Sequence, residues 1–183
     1  IKVNIKEENG WKKIFYKDIN LWVKGYIFNK KTETLLEELK SIPLAKFEDY
    51  LYKLDGHFAL VMQTKSITLM SVDKIRSIPL FWMGNEIGIH APSIVRNNKL
   101  NQDAILSIKM SGYTIDEDTI YHGLKSLVAG QYVIFKNNQV QRNYYYRQLP
   151  MKTSRIINFK KNLSSNTLSI LKKMIKSLNG RQV

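Results

Sequence analysis

Apolar positions in this chain fall into two patterns: short runs where they alternate or crowd together, and longer stretches where they return every three or four residues. Ile1, Val3 and Ile5 alternate with polar neighbours, Asn9-Gly10 is a two-residue turn signal, and Trp11 to Tyr16 resumes the alternation, which predicts an opening β-hairpin. Ile19 to Phe28 is a mostly apolar run bounded by Asn29-Lys30-Lys31. It predicts a buried central strand, with Gly25 marking a bend or a close backbone approach. Thr32 to Lys40 has helical composition with an early acid, and beyond Pro43 a second helix sets Phe47, Tyr50, Leu51 and Leu54 on one face before Asp55-Gly56 ends it. Two strands follow around Thr64-Lys65, and a hairpin around Gly84-Asn85. Asn101 is placed to cap a helix through Ile105, Ile108 and Met110 that stops at Ser111-Gly112. Gln131 to Phe135 and Gln139 to Tyr146 read as strands joined at Asn137-Asn138. A last helix from about Ser164 to Leu178 carries Leu168, Leu171, Ile175 and Leu178 on one face and ends at Asn179-Gly180.

Strands and helices are therefore grouped rather than alternating, which favours an α+β fold with antiparallel sheet over a parallel βαβ fold. The chain's 183 residues, 44% of them hydrophobic, can bury one substantial core. No run of about 18 apolar residues occurs and the first ten residues lack a signal-peptide pattern, so the expectation is a soluble, cytoplasmic protein with no membrane partner. After the last helix, Arg181-Gln182-Val183 resumes a strand-like pattern, which suggests that a second domain follows.

The absence of cysteine from these 183 residues removes disulfides, thiolate metal sites and a cysteine nucleophile together. The net charge of +14 would attract polyanions. The basic residues are mostly lysines spread from Lys2 to Lys176, however, and no recognition-helix, zinc-finger or RNA-binding signature accompanies them, so a solvated basic surface is the simpler reading. His57, His90 and His122 stand apart from one another and from carboxylates, so no metal site is expected. No glycine spacing around Gly84 or Gly123 makes a phosphate loop. Tyr144, Tyr145 and Tyr146, flanked by Arg142 and Arg147, divide between core and surface on a strand more readily than they stack on bases.

From Leu54 to Trp82 the sequence LDGHFALVMQTKSITLMSVDKIRSIPLFW resembles the glutaminase-domain stretch of the asparagine synthetase family, LxGxFAFxxxD followed by LxLARDRxGxKPLYY. Leu54, Gly56, Phe58 and Ala59 match the first half. Asp73, Pro79 and Leu80 match the second, with Phe81 and Trp82 in place of its tyrosines. VKGYIFN resembles the upstream NGEIYN, YTIDEDTIYHGLKSLVAGQYVIF the segment written GxxxLPPGHxL, and YYYRQL the closing YWDL. The resemblance runs from about Leu21 to Leu149 as several short motifs in order. It implies an N-terminal-nucleophile (Ntn-hydrolase-like) fold, a four-layer sandwich of two antiparallel sheets flanked by helices. Residues 1–150 would form a class II amidotransferase, glutaminase-like domain. Residues 151–183 would be a linker and helix leading into a missing ATP-dependent synthetase domain, whose SGGxDS loop binds ATP phosphates.

In active members the first residue is a cysteine whose thiolate attacks glutamine while its own amine serves as base. Here the first residue is Ile1, the oxyanion-hole asparagine aligns with Lys24, only the adjacent Gly25 survives from that pair, and the neighbouring glutamate aligns with Tyr26. The arginine that clamps the glutamine carboxylate has no counterpart before Lys24. Lys24 and Gly25 are thus the vestigial glutamine-pocket positions, and no catalytic, cofactor or metal residue is expected in this segment. The resemblance implies a domain inactive as a glutaminase and acting as a scaffold for the synthetase domain of the same protein, which would use ATP and magnesium. Relatives without the cysteine include β-lactam synthetases and lasso-peptide cyclases, which use an amine of the substrate. A homodimer is compatible with this reading. Asp73 is read as a structural turn residue, not a catalytic acid. The alternative is a basic module that recruits an anionic partner such as nucleic acid.

Overall fold

The computed structural model describes residues 1–28, 30–96, 99–148 and 156–178. Ten strands and five α-helices follow in chain order. They are β1 (Lys2–Asn4), β2 (Trp11–Tyr16), β3 (Ile19–Ile27), α1 (Thr32–Ser41), α2 (Phe47–Lys53, preceded by a 3-10 turn), β4 (Gly56–Gln63), β5 (Ile67–Val72), β6 (Phe81–Met83), β7 (Glu86–Gly88), α3 (Ala91–Ile94), α4 (Gln102–Ser111), β8 (Lys125–Ser126), β9 (Gln131–Lys136), β10 (Gln139–Tyr144) and α5 (Ile156–Leu178).

Six strands form an antiparallel sheet in the order β10-β9-β5-β4-β3-β2. Its register stacks side chains in rows. Leu21, Met62, Leu69 and Ile134 stand opposite one another across four strands, and in the next row Trp22, Val61, Met70 and Val133 do the same. Successive residues on a strand point to opposite faces, so the two rows lie on opposite sides of the sheet. Both rows are buried. This explains why β4 and β5 read as nearly continuous apolar runs although their pairing is antiparallel, because layers cover both faces.

On the first face, Leu35, Leu36 and Leu39 of α1 and Phe47 and Leu51 of α2 join Leu54 and the Leu21 row in one core. The Trp22 row, with Trp11 and Phe135, packs against Leu80, Trp82, Ile87 and Leu127 of the second sheet and its flanks, a four-stranded layer ordered β1-β7-β6-β8. The far side of that sheet is covered in turn. Ile87 faces the inter-sheet core, while a Cβ on the next residue, Gly88, would lie 3.0 Å from Ile94 Cδ1 of α3. The layers therefore run helix, sheet, sheet, helix, as the resemblance implies, in a fold that is α+β as the grouping of elements expects.

The second sheet is not wholly antiparallel: β1 pairs with β7 in parallel, with Val3 opposite Ile87. The expected opening hairpin is thus incorrect. Asn9-Gly10 does turn the chain, with both residues at positive φ and Trp11 N–H donating to Glu8 O at 3.0 Å, but the turn carries it from one sheet to the other. The hairpin partner of β2 is β3, across Lys17-Asp18. Turn chemistry is local, whereas Val3 and Ile5 are recruited by the inter-sheet core. The other turns hold as read: Asn137 and Asn138 both take left-handed backbone, and Asn101 accepts from Ala104 N–H at 3.3 Å to cap α4. Only Ala104 of α4 is buried, however, and Met110 is 79% exposed. The last helix begins at Ile156, earlier than expected, and Leu168, Leu171 and Ile175 on its apolar face are exposed. Asn179-Gly180 and Arg181 to Val183 lie outside the described residues.

Leu69 is fully buried in the middle of its row, whereas Leu106 is 56% exposed on α4. Leu69→Ala should cost about 2–5 kcal/mol in urea unfolding and Leu106→Ala less than about 0.5 kcal/mol.

Candidate functional site

Lys24 and Gly25 lie near the end of β3, opposite Ala59 and Phe58 of β4, and Lys24 also faces Trp11 of β2. Gly25 has φ +96°, and a Cβ there would collide with the His57 carbonyl oxygen and fall 2.8 Å from Ile78 Cδ1. Gly56, across the same strand pair at φ +148°, is pressed in the same way against the Tyr26 carbonyl oxygen. The β3 and β4 backbones approach so closely here that side chains are excluded on both, which requires glycine whatever chemistry the site performs. A Cβ at Gly25 would also meet Ile78, itself packed against the inter-sheet core, although the glycine is exposed. Lys24 has the parity of Trp22 and so stands on the inter-sheet side. It is partly buried, with its stem running past Gly10. No hydrogen bond or ion pair joins the Lys24 ammonium to another described residue, so it is a donor with no fixed aim.

Ile1 is elsewhere. Its carbonyl accepts from Gln63 Nε2 at 2.8 Å, and Lys2 N–H donates to Asn85 O at 2.8 Å. Gln63 sits opposite Asn20, four residues along β3 from Lys24. At strand rise that is roughly 13 Å. A nucleophile and an oxyanion donor must reach the same carbonyl, each from about 3 Å. The structure does not bring Ile1 and the Lys24-Gly25 pair together in that way.

The best-determined polar centre is Asp73, 1% exposed at the end of β5. Its Oδ1 accepts from Ile75 N–H at 2.9 Å and Ser77 N–H at 3.3 Å. Its Oδ2 accepts from Phe58 N–H and Ser77 N–H, both at 3.1 Å, and from the Ser77 hydroxyl. Its backbone N–H donates to Phe58 O, and its carbonyl accepts from Arg76 N–H and Gly130 N–H. Both carboxylate oxygens are thus engaged in holding the turn between β5 and Ile78, the role the sequence reading gives Asp73. Beside it the buried Tyr145 hydroxyl donates to Val72 O at 2.7 Å; burial, helped by the charge of Asp73, pushes this phenol well above its ordinary range.

At the same end of the large sheet, a cleft of about 1230 Å³ opens between the loop after Asp73, residues 113–118 and the end of β10. Arg76, Glu117, Lys125, Arg142, Tyr144 and Arg147 line it. Glu117 pairs with Arg142 at 3.0 Å and Asp118 with Lys125, while Arg147 stacks on the Tyr144 ring at 4.0 Å. Sequence reasoning missed Arg76, which takes positive φ in the loop Asp73 organises; nothing in its local sequence announces that conformation. Tyr145 is buried and its two neighbours partly so, the expected division between core and surface. His57, His90 and His122 are all exposed, on separate segments.

No family model matches the sequence, and no curated protein matches it. Among solved structures, the chain is similar to a glutamine phosphoribosylpyrophosphate (PRPP) amidotransferase from B. subtilis complexed with ADP and GMP, at 12% identity and a TM-score of 0.42, covering 79% of this chain and 31% of that one. It is also similar to a structure described as the allosteric regulatory enzyme of purine biosynthesis, at 12% identity and a TM-score of 0.33, covering 78% and 30%. The chain thus spans less than a third of either protein. At that identity and those TM-scores the likeness assigns no role to any residue.

Three substitutions separate scaffold from pocket. Asp73→Ala leaves the Phe58, Ile75 and Ser77 N–H groups without their acceptor and should cost about 3–5 kcal/mol. Asp73→Asn should recover little, since its amide turns a donor toward donors. Gly25→Ala should cost at least about 3 kcal/mol through the clash with His57, read by urea unfolding.

Proposed function

We propose that this chain is the glutaminase-like domain of an asparagine-synthetase-like, ATP-dependent amide-forming enzyme, and that it does not hydrolyse glutamine but supports the synthetase domain. The observation that carries the reading is where the Leu54–Trp82 motif sits. Leu54 and Leu80 are buried, Gly56 is demanded by the β3–β4 approach, and Phe58 and Asp73 bond each other through both backbone and side chain. The matched residues are thus those that build the sandwich.

The pocket positions fare differently. Lys24 stands where the family has an amide donor, and its ammonium is not fixed by a partner among the described residues. Losing one oriented oxyanion donor costs about 100- to 1,000-fold in rate. The 183 residues contain no cysteine to act as a nucleophile. On this reading ATP and magnesium bind in a C-terminal synthetase domain, which adenylates a carboxylate in the cytoplasm and joins it to an amine that need not come from glutamine.

The chain incubated with glutamine should release glutamate no faster than buffer alone; release above that background overturns the inactive assignment. A protein extending past Val183 should carry an SGGxDS-like segment within about twenty residues, where a helix N-terminus can hold phosphates. It should also exchange pyrophosphate into ATP when given its carboxylate and magnesium, without glutamine. Absence of both the segment and the exchange sinks the synthetase assignment.

A further inference from the structure

The net charge of this chain is unevenly distributed. All 15 acidic residues lie at or before Asp118, while 12 of the 29 lysines and arginines lie after it. The first 118 residues are therefore nearly balanced, and the last 65 carry most of the excess. Within the balanced part, Lys30 pairs with Glu38, Lys65 with Asp18 and Arg96 with Glu86.

The longest basic element is α5, 23 residues with five lysines and no acid. At 1.5 Å per residue it is roughly 34 Å long. Phe159, Leu163 and Ile170 line up along one side, and Leu168, Leu171 and Ile175 adjoin them; all six are between 47% and 67% exposed. Lys161, Lys172, Lys173 and Lys176 occupy the opposite side. Lys160 alone falls inside the apolar arc, where its stem can lie along the arc while its ammonium reaches outward. One ion pair ties the helix to the sandwich, Lys173 Nζ to Asp55 Oδ2 at 2.9 Å, with Lys74 on the other oxygen at 3.1 Å.

We infer that α5 is an interfacial helix that lies on an anionic lipid bilayer, apolar arc in the acyl boundary and lysines among the headgroups. Charge complementarity selects this occupant. Nucleic acid would satisfy the lysines but leave the apolar arc in water. A second copy of α5 would cover the arc but bring ten lysines together with no acid between them. An anionic bilayer takes both sides of the helix at once. No helix among the described residues is long and apolar enough to cross a membrane, so the contact is along the surface. The expectation of no membrane partner rested on the lack of a spanning segment, a criterion that an interfacial helix does not meet.

The test uses the whole chain and sedimentation with phosphatidylcholine vesicles, either neutral or containing about 30% phosphatidylglycerol. Binding to the anionic vesicles should be at least about tenfold tighter, and the advantage should shrink with added salt. Leu171→Asp with Ile175→Asp should weaken it at least about tenfold, and Lys172→Gln with Lys176→Gln by on the order of tenfold or more. These four residues are exposed, so both variants should keep the wild-type unfolding transition. Equal binding to the two vesicle types, or none, overturns the inference. So does duplex DNA binding that the aspartate variant leaves unchanged while vesicles are ignored, which assigns the lysines to nucleic acid. Self-association abolished by the aspartate variant, without vesicle binding, assigns the arc to a second copy, and loss of vesicle binding in a protein that extends past Val183 assigns it to the domain proposed to follow.

Discussion

The carboxylate of Asp73 is the point through which the large sheet, its neighbouring loop and the second sheet are joined. Five hydrogen bonds reach its two oxygens, from Phe58, Ile75 and Ser77, and its own backbone links β4 to the start of β9 through Gly130. A buried carboxylate is tolerable only when its charge is met this fully. The arrangement holds the turn after β5 in one shape. That shape sends the chain through Arg76, whose guanidinium lies near Ser126 Oγ and the Leu127 carbonyl of the second sheet, and past Ile78 onto Gly25. Cleft, pocket position and inter-sheet core all inherit their geometry from this turn.

Much of the fold was legible because the large sheet is buried on both sides. Such strands need a continuous apolar sequence, and β3, β4, β5 and β9 supply one. The opening strand was misread for a definite reason. A turn such as Asn9-Gly10 specifies backbone angles over two residues, but which strand lies beside Lys2–Asn4 is decided by Val3 and Ile5 joining the inter-sheet core around Ile87 of β7, more than 80 residues away. Local chemistry has no access to that choice. The early start of α5 is a similar case. Lys160, Ser164 and Thr167 interrupt its apolar repeat, which blurs the periodicity over its first half.

The candidate site was legible as positions rather than as a mechanism. Gly25 was marked from the sequence as a close approach, and the structure supplies the cause in the His57 carbonyl. That cause is sufficient by itself, so a glycine there carries no information about glutamine.

The two cores of the sandwich include no described side chain of α5. A helix gains most of its stability from packing an apolar face, not from its backbone. Here Phe159, Leu163 and Leu171 leave about half of their surface in water. The tie between Lys173 and Asp55 compensates little for that, because the pair is exposed and screened by salt. Against the upward pull of burial, hydrogen bonds from Lys173 and Lys74 and their charges hold the Asp55 carboxyl below its usual range. The tie is therefore complete above the ordinary carboxylate pKa and is lost as pH falls through the lowered one. The order of α5 therefore rises with whatever covers its arc. Covering the arc and meeting the lysines are one requirement, because both belong to the same 23 residues.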